Sequence, residues 1–256
     1  MGVLFGTDGI RGIVNQTLDA PLAYRVGQAA ALVLAEQSNG RPLFLIGKDT
    51  RISSDLLEDA LTAGLLACGA DVMGLGVIPT PAVAYLTAAN HAAAGVVISA
   101  SHNPFAYNGI KIFSGAGFKL NDALEERIEQ LILSDGPLPA KQGAELGRVR
   151  GGEGQAERYL DHLVSTVPGN LSGLRILVDC ANGAASFTAP KLFARFGLTV
   201  DFLHNDPNGT NINDHCGSTH LENLCASVVQ GGYDLGIAFD GDADRCLAVD
   251  AAGNEV

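Results

Sequence analysis

Cations are scarce in this chain: 16 lysines and arginines stand against 28 aspartates and glutamates over 256 residues, a formal net charge of −12. So acidic a surface repels polyanions, which argues against nonspecific nucleic-acid binding, and any phosphate must meet the few cations gathered locally. No apolar run reaches membrane-spanning length, and Met1 to Gly12 lacks the basic-then-apolar layout of a secretory leader. Cys68, Cys180, Cys216, Cys225 and Cys246 form no Cys-x-x-Cys pair, and their odd count does not make a simple disulfide framework. The expectation is a cytoplasmic protein that engages neither membrane nor nucleic acid. A Gly-x-Ser-x-Gly elbow is also absent, which removes the α/β-hydrolase route to an activated serine.

What is present is 47% hydrophobic residues, enough for two modest cores, arranged as a repeat of pattern rather than of identity. The first unit reads as a strand Leu43 to Gly47, a polar Asp49-Thr50-Arg51 loop, a helix from about Ser54 to Gly69 and a strand from Asp71. The later unit reads as a strand Leu174 to Val178, a polar loop Asp179 to Gly183, a helix ending at Gly197 and a strand from Leu198. These are two βαβ units. Each continues through a helical stretch, Pro81 to His91 or His220 to Gly231, into a strand that ends in a chemically distinctive loop. A further short strand comes next, Ile110 to Phe113 or Cys246 to Val249.

In the first unit the apolar strand Gly95 to Ile98 stops at Ser99-Ala100-Ser101-His102-Asn103-Pro104. Ser101 reads either as a turn serine or as a hydroxyl presented for chemistry. His102 is its neighbour, and neighbouring side chains point apart, so no Ser-His base pair is implied. In the second unit Leu235 to Phe239 runs into Asp240-Gly241-Asp242-Ala243-Asp244-Arg245. Three carboxylates at alternate positions suit a hard cation such as Mg²⁺, and an EF-hand fails because Arg245 and Ala251 fall where glycine and glutamate belong. The alternative is a solvated acidic turn. Arg245 could pair with these carboxylates or bind a metal-held phosphate. Both loops lie at the carboxyl ends of equivalent strands, where open α/β sheets bind ligands, so the repeat predicts a site shared between domains.

Two further clusters suit phosphate. Phe5 to Gly12 packs glycines around Thr7 and Arg11, giving either an anion-accepting loop or an ordinary glycine-rich turn. Lys111 opens the strand after the serine loop, as a phosphate or acid-base residue or as a solvent-facing lysine. His215, Cys216, His220 and Cys225 fit no usual zinc spacing, while Leu221, Leu224 and Val228 mark a helix with a core face. His91, His162 and His204 have no partner legible in sequence. Gly, Pro and short polar residues interrupt the periodicity from Ser134 to Gly154, between the helix Asp122 to Leu133 and a helical pattern over Glu157 to Val164. The expected domains are residues 1–152, with the serine loop, and 153–256, with the aspartate loop.

Gly6 to Gly12, Ser99 to Pro104 and Asp240 to Arg245 together resemble the α-D-phosphohexomutases. Asn211-Ile212-Asn213 followed by Cys216-Gly217-Ser218 is similar to the bacterial branch that acts on glucosamine phosphate. With the repeat, the fold class expected is α/β: two similar three-layer domains with mixed, mainly parallel sheets. The resemblance implies that Ser101 carries a phosphoryl group, that this phosphate with Asp240, Asp242 and Asp244 holds Mg²⁺, and that a phosphosugar is converted through a 1,6-bisphosphate. It implies catalytic roles for Ser101, Lys111 and Arg11 and phosphate binding by Thr7, Arg11, His102 and Arg245. Complete members have four domains, and neither a Gly-Glu-x-Ser-Gly-His loop nor an arginine-rich Ser/Thr loop occurs here. The chain therefore resembles an N-terminal half whose partners are the C-terminal domains of the same protein, with a homodimer left open. Alternatives are the corresponding half of the glucose or mannose phosphate branches, or a metal- and phosphosugar-binding fragment without turnover. Positioning contributes up to roughly 7–11 kcal/mol to catalysis, so negligible steady-state turnover is expected of this piece alone.

Overall fold

The computed structural model describes residues 4–6, 8–36, 40–169 and 171–256. In chain order the elements are β1 (Ile10–Ile13), α1 (Ala20–Ala35), β2 (Leu43–Lys48), α2 (Ser53–Ala67), β3 (Asp71–Val77), α3 (Thr80–Ala89), β4 (Ala94–Ile98), β5 (Tyr107–Ser114), α4 (Asp122–Leu133) and β6 (Val149–Arg150). They continue with α5 (Gln155–Thr166), β7 (Arg175–Asp179), α6 (Ala185–Phe193), β8 (Thr199–Leu203), α7 (Glu222–Gly231), β9 (Leu235–Phe239) and β10 (Cys246–Asp250).

The strands form a six-stranded sheet, β1-β5-β4-β2-β3-β6, and a four-stranded sheet, β10-β9-β7-β8. In the first, β4-β2-β3-β6 pair in parallel while β5 runs antiparallel to both β1 and β4. In the second, β9-β7-β8 are parallel and β10 is antiparallel to β9. The α/β class with two mixed, mainly parallel sheets is thus as expected. Central strands read as unbroken apolar runs because helices cover both faces. Val96 and Ile98 of β4 face a core with α1, α2 and α4, whereas Val97 joins α3 residues Val83 and Leu86 on the other side. In the second sheet Ile176 and Val178 pack on α6, and Leu177 packs on Leu224 and Val228 of α7. No helix among the described residues is long and apolar enough to cross a membrane.

Two elements differ from the sequence reading. Ile10–Ile13, read as part of a glycine-rich loop, is a strand paired with β5, and Arg11 lies opposite Gly109. The segment read as a linker contains β6, which extends the first sheet beside β3, and Arg150 Nε donates to the buried Asp71 carboxylate at 2.8 Å. The helix α5, read over Glu157 to Val164, packs between the units: Tyr159 and Leu163 lie with Leu45, Ile78 and Leu86 of the first. It also touches the second unit, through Arg195 bound to Asp161 at 2.6 Å and to Glu157.

Helices α1 and α2 meet through glycine. A Cβ on Gly64 would fall 2.0 Å from the Tyr24 carbonyl oxygen, and one on Gly27 would fall 2.3 Å from that of Leu61. Alanine is the better helix former by about 1 kcal/mol, but backbone cannot yield as a flexible side chain does. Gly64→Ala should therefore lower unfolding free energy by about 1–3 kcal/mol in urea titration, and a gain in stability would refute this close packing.

Candidate active site

The two chemical loops meet. Ser101, in the turn after β4, donates from Oγ to Asp240 Oδ2, in the turn after β9, at 2.7 Å. The same Oγ accepts from Arg245 Nη2 at 2.6 Å. Arg245 also donates from Nε to Asp240 Oδ2 at 3.1 Å, so hydroxyl, carboxylate and guanidinium form one closed arrangement. Both Ser101 and Asp240 are buried.

Presenting Ser101 in this way requires an unusual backbone. Its φ is +52°, in the left-handed region that costs a non-glycine residue about 1–3 kcal/mol unless its surroundings enforce it. Ser99 Oγ accepts from the Ser101 N–H at 2.9 Å and donates to Asp49 Oδ2 at 2.5 Å. Asp49 in turn holds Arg51 Nε at 2.8 Å, with both side chains fully buried. Asn213 and Arg51 both donate to the Ser101 carbonyl oxygen, each at 2.9 Å. Gly241 lets the second unit approach, since a Cβ there would lie 2.6 Å from the Ser101 carbonyl oxygen and 2.8 Å from Asn213 Nδ2.

His102 is no base for Ser101. Its Nδ1 is 3.5 Å from Ser101 Oγ but accepts from Arg245 Nη2 at 2.5 Å, and because arginine only donates, that lone pair is occupied. Burial lowers the His102 pKa, and the charges of Arg245 and Arg11 lower it further.

One oxygen from each of Asp240, Asp242 and Asp244 lies within 4.8 Å of the other two. Asp242 Oδ2 accepts from Thr80 Oγ1, at the start of α3, at 2.7 Å, whereas its buried Oδ1 has no partner. Burial and then the charges of Asp240 and Asp244 push the Asp242 pKa up to about 7, and burial with Asp240 also raises Asp244. Three crowded carboxylates with an orphaned buried oxygen fit a hard divalent cation, which would relieve both penalties at once.

Asp8, Arg11, Ser101, His102, Asp244 and Arg245 line a cleft of about 290 Å³ beside this centre. Arg11 reaches it from a strand. Its guanidinium pairs with Asp8 at 3.5 Å, and its Nε is buried without a partner. Lys111 does not line this cleft; its Nζ stands 5.4 Å from the Phe113 ring centroid, and its charge bears on Asp244. Thr7 lies outside the described residues. Thus Ser101, His102, Arg11, Arg245 and the three aspartates converge, and Lys111 stands aside. The sequence reading assigned no site role to Asp49, Arg51, Thr80, Ser99 or Asn213. The available signal was a charged pair two residues apart directly after an apolar strand, in the loop where the second unit carries Asp179.

Of the residues weighed for zinc, only Cys216 joins a candidate group, with Asp179 and His204. Asp179 already accepts from the N–H groups of Ala181 and Gly217 and faces His204 Nδ1 at 2.9 Å, so the group ties loops together.

The raised Asp242 pKa has a defined sign. The folded state binds this proton more tightly than the unfolded chain, so the contribution to stability is lost as pH rises from about 4 through 7. In chelator, Asp242→Asn should be more stable than the parent at pH 8, with the gap closing toward pH 4. Parallel denaturation curves with no pH-dependent gap would refute the crowded, cation-free carboxylate.

The model of phosphoglucomutase/phosphomannomutase α/β/α domain I matches residues 2–137, and that of domain II matches residues 157–253. A phosphoglucosamine mutase of Rhodococcus jostii is 55% identical over 255 residues, covering 99% of this chain and 57% of that protein. One from Carboxydothermus hydrogenoformans is 54% identical over 257 residues, covering 100% of this chain and 58% of the relative. The chain thus spans little more than half the length of these relatives. The crystal structure of a phosphoglucomutase/phosphomannomutase family protein from Burkholderia thailandensis superposes with a TM-score of 0.84 at 28% identity, covering 99% of this chain and 56% of that one. With both domain models matched in order and the serine and aspartate loops joined at one centre, the chain belongs to the phosphoglucomutase/phosphomannomutase family.

Proposed function

We propose that this chain is the phosphoryl-transfer half of a phosphoglucosamine mutase, interconverting glucosamine 6-phosphate and glucosamine 1-phosphate in the cytoplasm. The observation that carries the reading is Ser101 Oγ lying between the Asp240 carboxylate and the Arg245 guanidinium. A phosphoryl group on that oxygen would stand against a buried carboxylate. Two unit charges 4 Å apart repel by about 4 kcal/mol at an effective dielectric of 20, so the arrangement calls for a cation between them. Asp240, Asp242 and Asp244 would hold Mg²⁺ with an oxygen of the phosphoserine, and the ion when bound would supply charge neutralisation.

In the reaction the phosphoryl group passes from Ser101 Oγ to the free hydroxyl of the sugar phosphate, giving a 1,6-bisphosphate. The bond to Ser101 breaks as the bond to the sugar oxygen forms. After the bisphosphate reorients, its other phosphoryl group returns to Ser101 Oγ and leaves the isomeric monophosphate. Phosphoryl transfer needs positioning and electrostatic stabilisation more than covalent help. Arg245 stabilises the serine oxygen as it gains or loses charge, and Arg11 and His102 face the cleft where transferring oxygens would lie. Lys111, outside the cleft lining but with its charge acting on Asp244, is the residue we assign to proton transfer. Domains 1–152 and 153–256 supply the nucleophile and the cation site respectively. Sugar recognition and distal phosphate binding belong to the part of the relatives' length that this chain does not span.

Incubation with Mg²⁺ and glucosamine 1,6-bisphosphate should add one phosphoryl group at Ser101, read by intact mass and peptide mapping. Ser101→Ala should abolish the addition, and Asp242→Asn should slow it by about 100-fold, while steady-state mutase turnover stays negligible. Phosphorylation elsewhere, or none in a folded chain that binds Mg²⁺, would leave a binding fragment instead.

A further inference from the structure

Two sequence features have no part in the chemistry above: the Asp49-Thr50-Arg51 turn and the Asn211-Ile212-Asn213 signature. Both end on the main chain of the serine loop. Arg51 sends Nη2 to the carbonyls of Ser101 and Asn103, at 2.9 and 2.8 Å, and Nη1 to that of Pro104 at 2.5 Å. Asn213, from the other unit, sends Nδ2 to the same two carbonyls of Ser101 and Asn103, at 2.9 and 3.2 Å. A carbonyl oxygen has two lone pairs, and in Ser101 and Asn103 each unit takes one.

We propose that Arg51 and Asn213 are positioning residues that grip the serine loop from opposite units and hold Ser101 in its left-handed conformation, with Oγ directed at Asp240. The proposal rests on the phosphoryl-transfer reading and deepens it. Arg51 suits the task because its planar fork spans three carbonyls, while Asp49 neutralises its buried charge. Lysine would keep the charge without the fork. Asn213 suits its own position because asparagine tolerates a positive φ, here +58°, while its amide supplies the donor. Neither side chain bonds Ser101 Oγ, so both act through the backbone. Because the second grip comes from the other unit, docking of the units completes the nucleophile's geometry.

Asn213→Gly removes the amide and keeps the backbone conformation easy; Asn213→Asp keeps the shape and turns the donor into an acceptor facing two carbonyls. With Mg²⁺ and glucosamine 1,6-bisphosphate, both variants should load Ser101 at least about 10-fold more slowly at saturating donor, because a small misplacement is costly in rate. The half-saturating donor concentration should stay within about twofold, since ground-state binding is untouched. Amide hydrogen exchange over residues 101–103 should rise by at least about 10-fold, with α1 and α4 unchanged. Arg51→Lys should shift both readouts in the same direction. Parental loading rates in both Asn213 variants, or parental exchange at 101–103, would overturn the proposal. If the parent itself is not loaded, the phosphoryl-transfer reading fails separately, and the exchange measurement alone decides whether the two residues grip the loop.

Discussion

The buried pair of Asp49 and Arg51 is the constraint on which the rest of the site depends. Removing both charges from water is expensive, and an isolated pair repays that cost only when its remaining donors and acceptors are satisfied. Here Asp49 also takes Ser99 Oγ, Ser54 Oγ and the Arg51 N–H, and the guanidinium spends its outer nitrogens on loop carbonyls. The polar groups of a sharp turn that would otherwise lie buried and unpaired are what make this ion pair sustainable. Loss of either partner would leave a lone buried charge, a cost of about 3–5 kcal/mol, together with a slackened turn.

The two units answer one topological problem with different chemistry. In each, an aspartate after the central strand accepts from the N–H two residues on, Asp49 from Arg51 and Asp179 from Ala181. In the first unit this turn supports the Ser101 loop on the neighbouring strand end. In the second the neighbouring strand end holds three carboxylates, and the corresponding aspartate binds His204 and the Gly217 N–H. The repeat therefore preserves the support and varies what is supported. Thr80 and Asp242 make a further tie between units, with the Thr80 N–H on the Asp242 carbonyl at 2.9 Å and the hydroxyl on its carboxylate.

Much of this was legible in the sequence wherever the signal was local. The helix α4 and the strand β9 fall at the residues that periodicity indicated, and the meeting of Ser101 with Asp240 followed from their equivalent places in the repeat. Local signals failed where glycine masked a short strand, as in β1, and where two residues gave too little pattern, as in β6. The helix α1, capped where the Asp19 side chain accepts from the Leu22 N–H, was not read from the sequence, its alanine-rich run offering little contrast between faces. The grip on the serine loop could not be read at all. Arg51 and Asn213 act on residues 50 and 112 positions away, a distance closed only by folding.

The helix α5 falls in the stretch matched by the second domain, yet Tyr159 and Leu163 pack on residues of the first. Arg158 binds the Ala89 carbonyl at 2.8 Å, and His162 stacks on Tyr85 at 4.0 Å, so α5 lies against α3 as well as against α6. The Arg195 ion pairs that tie α5 to the second unit are exposed, weak and screened by salt, whereas its contact with the first unit is apolar. The helix that follows the inter-unit segment is thus a splint, fastened by apolar packing to one sheet's layers and by charge to the other's.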